Sequence, residues 1–200
     1  MYNTKKIVKN AFRISKVRGE SAIRLRVPGG DLDARHLDAI KKLAEKFGNG
    51  TVHLSIRQGF EIPGIKLSQL KEIKKFMAEM IYDIEKESNV ILEHPEDGYP
   101  SAGTRNISAC IGNKVCSFAN CDAPLLARKI EGIIYPNNYH LKVAITACPN
   151  DCIKAHMQDI GIISGIVPDY DSEKCIACEA CIDNCRQRVT NSLRIENYKI

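Results

Sequence analysis

The first 109 residues of this 200-residue chain contain no cysteine. No apolar run approaches the ~18 residues that a membrane-spanning helix needs, so a helical span is not expected. The opening stretch MYNTKKIVKNAFR carries charge but no apolar h-region. A secretory signal is therefore not expected, and a cytoplasmic location is. There is no GxGxxG and no GxxxxGK[ST], so nothing points to a nucleotide site. No internal repeat or low-complexity tract breaks the chain. The net charge of +5 is too small to imply a nucleic-acid partner.

What is present is an ordinary globular composition with 44% hydrophobic residues, enough to build a core. The first 30 residues are locally basic: Lys5, Lys6, Lys9, Arg13, Lys16, Arg18, Arg24 and Arg26 face Glu20 alone. A solvated basic surface is the plain reading of such a segment, and an anion-facing surface is the sharper one. Residues 12–27 read as two strands, FRISKVRG and SAIRLRV, ended by Pro28-Gly29-Gly30. A helix follows from about Asp33, with Leu37, Ile40, Leu43, Ala44 and Phe47 at helical spacing, and Gly48-Asn49-Gly50 stops it. Val52, Leu54 and Ile56 alternate as a strand. Ser68 is placed to cap a second helix carrying Ile73, Phe76, Met77, Met80, Ile81 and Ile84. The order is an α+β, ferredoxin-like pattern over residues 1–90. Residues 91–170 read as a second α/β unit, with a helix over Ala123–Ile134 and strands at 141–146 and 159–167.

All nine cysteines lie within Cys110–Cys185. In a cytosolic chain that favours metal ligation over disulfides. The run Cys175-x2-Cys178-x2-Cys181-x3-Cys185 has the bacterial ferredoxin spacing for a [4Fe–4S] cluster and opens a third segment, 171–200. Zinc is the competing reading, but zinc sites usually pair two separated CxxC knuckles. Arg186 stands where such runs usually carry proline. In two-cluster ferredoxins the fourth cysteine binds the other cluster. Either Cys185 closes this cluster itself or the 200 residues belong to a longer polypeptide, and the second is the expectation. Cys110-x5-Cys116 and Cys148-x3-Cys152 together supply four thiolates for another [4Fe–4S] cluster. Pro149 suits the first position of a helix capped at Cys148, which would set Cys148 and Cys152 one turn apart. Cys121 is left over and reads as a buried thiol.

At these residues the chain resembles the sirohaem-dependent sulfite and nitrite reductases. The matching stretches are FRISKVRGE, RLRVPGG, GNGTVHLSIRQ, GTRNISAC and YHLKVAITACPNDC. The resemblance implies a catalytic subunit that reduces sulfite to sulfide by six electrons, with nitrite as the alternative substrate. It implies sirohaem and [4Fe–4S] clusters as cofactors, with Cys110, Cys116, Cys148 and Cys152 holding the first cluster. Cys152 would bridge that cluster to the sirohaem iron, and Cys175, Cys178, Cys181 and Cys185 would serve a ferredoxin-type cluster. Arg57, Arg105 and Lys142 would face the anion and the carboxylates of the sirohaem, while His140 stands where the family has lysine. Electrons would come from a donor subunit or a ferredoxin, and assembly with other reductase subunits is expected. The pseudo-twofold plan of the family lets anion-binding residues and cluster ligands come from different halves or subunits. The bland alternative from another class is an iron–sulfur electron carrier without sirohaem.

Overall fold

The computed structural model describes residues 11–92, 106–135, 141–167, 169–188 and 193–196. The fold is α+β. Strands β1 (Phe12–Ile14), β2 (Glu20–Leu25), β3 (His53–Leu54) and β4 (Phe60–Lys66) form an antiparallel sheet in the order β1-β2-β4-β3. Helices α1 (Leu37–Phe47) and α2 (Leu70–Lys86) belong to the same unit. Each places one apolar stripe in the core: Ile40, Leu43, Ala44 and Phe47 from α1, and Ile73, Met77, Met80, Ile81 and Ile84 from α2. The sheet answers with Phe12, Ile23, Leu25, Ile62 and Ile65. The rings of Phe47 and Phe76 meet edge-on at 5.6 Å.

The structure departs from the sequence expectations at three places in this unit. The Val52–Ile56 alternation yields only the two-residue strand β3, and its apolar side chains are exposed, Ile56 at 98%. The central strand is instead β4, whose pattern is broken by Pro63 and Gly64. Those two residues lie opposite a register shift in β2 between Ser21 and Ile23, where a residue without a ladder N–H is tolerated. Finally, Ser68 lies inside a 3-10 turn, Leu67–Gln69, and does not cap α2.

The second unit is a three-stranded parallel sheet in the order β5-β6-β7, from β5 (Ser108–Ala109), β6 (Val143–Thr146) and β7 (Ile160–Ile163). Helix α3 (Ala123–Ile134) connects β5 to β6. Asp122 caps it by accepting from Leu125 N at 2.9 Å, and Pro124 sits in its first turn. Helix α4 (Ala180–Arg188) follows in the cysteine-rich segment. The units are joined tightly. Gly29, at φ 65°, lies so close to α3 that a Cβ there would stand 2.6 Å from the Pro124 carbonyl oxygen. Asp31 pairs with both Lys114 and Arg128 across the junction. Among the described residues no helix is long and apolar enough to cross a membrane.

Candidate metal centre and anion cavity

The carboxyl ends of β5 and β6 organise the first cysteines. Cys110 follows β5 directly, and its N–H donates to Ile145 O at 3.1 Å as the ladder continues. The Cys110 thiol accepts from Ala147 N at 3.2 Å, and Asn120 N donates to Ala147 O at 2.8 Å. The 110–121 loop is therefore laced to the backbone just before Cys148. Gly112, at φ 67°, makes the bend possible, and Cys116 N donates to Gly112 O at 3.1 Å. Cys148 is buried and Cys152 exposed. Cys110, Cys116, Cys121, Cys148 and Cys152 are all thiols outside disulfides.

The helix expected at Cys148 does not form. Residues 148–154 make turns, and Asp151 and Lys154 take positive φ angles of 44° and 59°. Asp151, a residue that sequence reasoning passed over, holds this loop together. One carboxylate oxygen accepts from Ala155 N at 2.7 Å, and the other accepts from His156 N at 3.1 Å and pairs with the His156 ring. Burial opposes its charge, but the bonds from His156 and Ala155 win and hold its carboxyl below the usual range.

Among the described residues no three His, Cys, Asp or Glu side chains close on one metal-ion position. A cubane cluster spreads its four thiolates over four irons, so it asks for a wider ring of sulfurs than a single ion does. The donor set suits such a cluster. Thiolates accept backbone N–H bonds, and Ala147 N already offers one to Cys110.

The ferredoxin-type run surrounds a separate hollow of about 450 Å³, lined by Cys175, Cys178, Cys181, Tyr170, Leu193 and Ile195 among others. Hydrogen bonds from the Tyr170 hydroxyl and Ala177 N–H pull the Cys175 thiol below its ordinary value. Cys185, one turn beyond Cys181 on α4, is buried and is not part of this lining.

The cations gather elsewhere. Arg57 sits at the tip of the β3–β4 hairpin, where Ser55 N bonds Gly59 O at 2.8 Å and Gln58 takes φ 61°. Its guanidinium reaches into the second unit and donates to Asn106 O at 2.8 Å, Val143 O at 3.4 Å and Gln158 Oε1 at 3.1 Å. Asn106 and Val143 immediately follow Arg105 and Lys142 in the chain. Arg57 and Lys142 thus stand at the amino end of the parallel sheet, with the whole of β6, ~13 Å at 3.3 Å per residue, between them and the turn that carries Cys148. Arg105 and His140 lie outside the described residues.

Next in sequence to Arg57, the Gln58 side chain pairs with Ala109 like a strand, donating to its carbonyl at 2.7 Å and accepting from its N–H at 2.8 Å. Arg57 also lines a cavity of about 330 Å³ together with Arg13, Arg24, Arg26, His53, Glu61 and Asn106. Glu61 bonds Arg13 and Arg24 at 2.9 and 2.8 Å. Part of its burial opposes its charge, yet those arginines hold its carboxyl below the usual range. The cavity keeps a surplus of positive charge. Only the locally basic opening of the sequence hinted at Arg13, Arg24 and Arg26.

Fold and site together define a two-part α+β protein that offers soft thiolate ligands at one sheet end and cations at the other. The nitrite/sulfite reductase ferredoxin-like half domain matches residues 15–80, and the nitrite and sulphite reductase 4Fe-4S domain matches residues 101–172. The chain belongs to the nitrite and sulfite reductase family. It is 41% identical over 192 residues to an anaerobic sulfite reductase polypeptide of Salmonella typhimurium, covering 96% of this chain and 57% of that protein. It is 30% identical to coenzyme F420-dependent sulfite reductase of Methanocaldococcus jannaschii over 84% of this chain and 25% of that one. Chloroplastic ferredoxin–nitrite reductase of Zea mays is 28% identical over 79% of this chain and 26% of its own. The chain thus spans little more than half the length of its relative from Salmonella typhimurium. In the solved structure of dissimilatory sulfite reductase I the same fold recurs, with a TM-score of 0.57 and 21% identity over 77% of this chain and 35% of that one. The family's cofactors are the sirohaem and [4Fe–4S] clusters that the sequence resemblance implies.

Proposed function

We propose that the chain is the catalytic part of a sirohaem and [4Fe–4S] sulfite reductase that carries sulfite to sulfide. The observation that carries this reading is the lacing of the Cys110–Cys121 loop to Ala147, beside Cys148 at the carboxyl end of the parallel sheet. Cys110, Cys116, Cys148 and Cys152 would hold the first cluster. Cys152, exposed where Cys148 is buried, is the member suited to bridge to a sirohaem iron at the surface. When bound, the sirohaem and cluster supply the electron chemistry. The chain's own residues supply ligation, orientation and charge.

Arg57, Arg105 and Lys142 would orient the anion and pair with the sirohaem carboxylates. Arginine's planar donor fork suits both oxyanions and carboxylates. The whole of β6, ~13 Å at 3.3 Å per residue, separates Arg57 and Lys142 from the Ala147–Cys148 turn, which supports a split arrangement. The cation end of this half-domain would then serve a sirohaem whose cluster ligands come from another half or another protomer. Cys175, Cys178 and Cys181 would hold an entry cluster fed by a donor subunit or ferredoxin. That Cys185 does not line their hollow fits a fourth ligand shared with a further cluster.

The test is an anaerobic absorption spectrum of the full-length protein, with acid-labile sulfide and extracted tetrapyrrole. A sirohaem band that shifts on adding sulfite supports the reading. Comparing kcat/KM for sulfite and nitrite then assigns the substrate. Iron–sulfur absorption without tetrapyrrole in the full-length protein would make it an electron carrier instead.

A further inference from the structure

Arg26 occupies the seam between the two units. Its side chain is 4% exposed, and it lines the arginine cavity. Nε donates to Glu85 of α2 at 3.0 Å, and Nη2 donates to Glu131 of α3 at 3.2 Å. The Tyr135 ring stacks on the guanidinium at 3.6 Å. Nη1 is buried with no hydrogen-bond partner among the described residues. One guanidinium thus faces two carboxylates at its back and has one donor to spare.

Glu131 has a second task. Its other carboxylate oxygen accepts from Ile107 N, at the entry to β5 and three residues before Cys110. A single buried side chain therefore touches both the cavity's arginine and the strand that delivers the first cysteine. We propose that Glu131 is a charge-setting residue which, acting through Arg26, makes anion occupancy of the arginine cavity proton-linked.

The physics is a matter of counting charges. With both carboxylates ionised, the Arg26 cluster carries a net negative charge. An anion in the cavity beside Arg26 meets that charge in a low-dielectric seam. When Glu131 is neutral, the cluster carries one negative charge fewer, and an anion in the cavity beside Arg26 is repelled less. Burial raises the Glu131 pKa to about 7, against the pull of Arg26 and the Ile107 N–H. The other charged groups near it are Glu85, which opposes its ionisation and whose own carboxyl burial also raises against the pull of Arg26, and Arg128 on its own helix, which favours it. Strand β5 offers it the backbone N–H of Ile107. Proton uptake and anion binding thus favour each other around neutral pH. His53 also lines the cavity and is the control position.

The inference rests on reading the cavity as an anion site, not on sirohaem chemistry. The probe is therefore inorganic sulfate, which stays fully ionised across the range tested. Thermal stability of the full-length protein with its clusters is followed against sulfate at constant ionic strength, from pH 6 to pH 8. Wild type is expected to bind sulfate about tenfold more tightly at pH 6 than at pH 8, as one proton linked near pH 7 requires.

Glu131→Gln keeps an acceptor for Ile107 N and removes the charge. It is expected to bind sulfate tightly at both pH values and to leave the reduced-cluster resonance spectrum unchanged. His53→Gln is expected to keep most of the slope. Should Glu131→Gln fold poorly, proton uptake on adding sulfate to weakly buffered wild type at pH 7 decides the matter, a substantial fraction of a proton per chain being expected. A slope that survives Glu131→Gln, a slope lost in His53→Gln, or no sulfate effect in wild type overturns the inference. Sulfate binding without sulfite reduction would sink the reductase reading and leave this one standing.

Discussion

In the sheet of β1–β4 the core is mostly isoleucine, leucine, methionine and phenylalanine, whereas in the buried cluster around β5–β7 four of the seven residues are alanine. The difference bears directly on stability. Fully burying an Ile, Leu, Met or Phe side chain contributes about 1.5–3 kcal/mol, and alanine far less. The first unit can hold itself together by hydrophobic burial. The second has short strands, a thin core and a loop of thiols. It leans on its neighbour through Gln58, Arg57 and Asp31, and the proposed cluster ligation by its cysteines would add further free energy.

The sharpest way to break this comparison is to remove the cluster. Cys110→Ser is expected to abolish activity and to strip iron and acid-labile sulfide from the first centre. Hydrogen exchange should then rise across β5 and β6, while the amides of Ile23, Leu25 and Ile62 keep their protection. If both sheets loosen together, the two units fold as one and the contrast is false. The converse substitution is Ile65→Ala, at a fully buried position of β4. It is expected to cost about 2–5 kcal/mol in denaturant unfolding, mostly from the first unit.

How far the sequence disclosed this plan follows the same divide. The stripes of α1 and α2 were legible because helical spacing survives in the buried residues themselves. Helix α3 was legible end to end, since Asp122 and Pro124 mark its start. Strand β4 was not, because Gly59 stands before it and Pro63 and Gly64 interrupt it for reasons that exist only in three dimensions. Gly59, for one, lies against the Leu25 carbonyl, 2.7 Å from where a Cβ would stand. Val52, Leu54 and Ile56 misled because alternation reports side-chain direction, not burial. At the site, cysteine spacing carries the proposal of clusters, since thiolates at short intervals have few other uses. Glu85, Glu131 and Asp151 were silent. A buried carboxylate on a helix looks like any charge on a solvated face until its partner arrives from another part of the chain.

A smaller effect should sharpen the dependence of the second unit on the first. Gln58→Ala removes both bonds to Ala109 and leaves that N–H and carbonyl without their partner. Each unsatisfied buried group costs about 1–3 kcal/mol. The expected result is faster exchange at Ala109 and Cys110 and weaker retention of the first cluster under chelator. The first sheet should stay intact, because Gln58 lies at the hairpin tip beyond the ladder. Equal loosening of β2 and β4 would show that the hairpin supports its own sheet as well.

The smallest expected effect concerns Asp31, which joins the units from the surface. The Lys114 ammonium, and then Arg128, hold its carboxyl below the ordinary value of 3.8. A lowered carboxylate pKa contributes stability that is present above the ordinary value and lost as pH falls through the folded one. The contribution should therefore be full at neutral pH and fade below about pH 4. Its side chain is 40% exposed, so solvent screens the pairs and the effect should stay under about 1 kcal/mol. Asp31→Asn should lower the melting temperature slightly at pH 7 and not at all well below pH 4, with the loss concentrated in the second unit. High salt should shrink the difference at pH 7. If asparagine makes no difference at pH 7, Asp31 acts instead through its backbone carbonyl, which accepts from Arg128 at 3.2 Å and which asparagine retains. That outcome would move the fastening of the two units from charge to geometry.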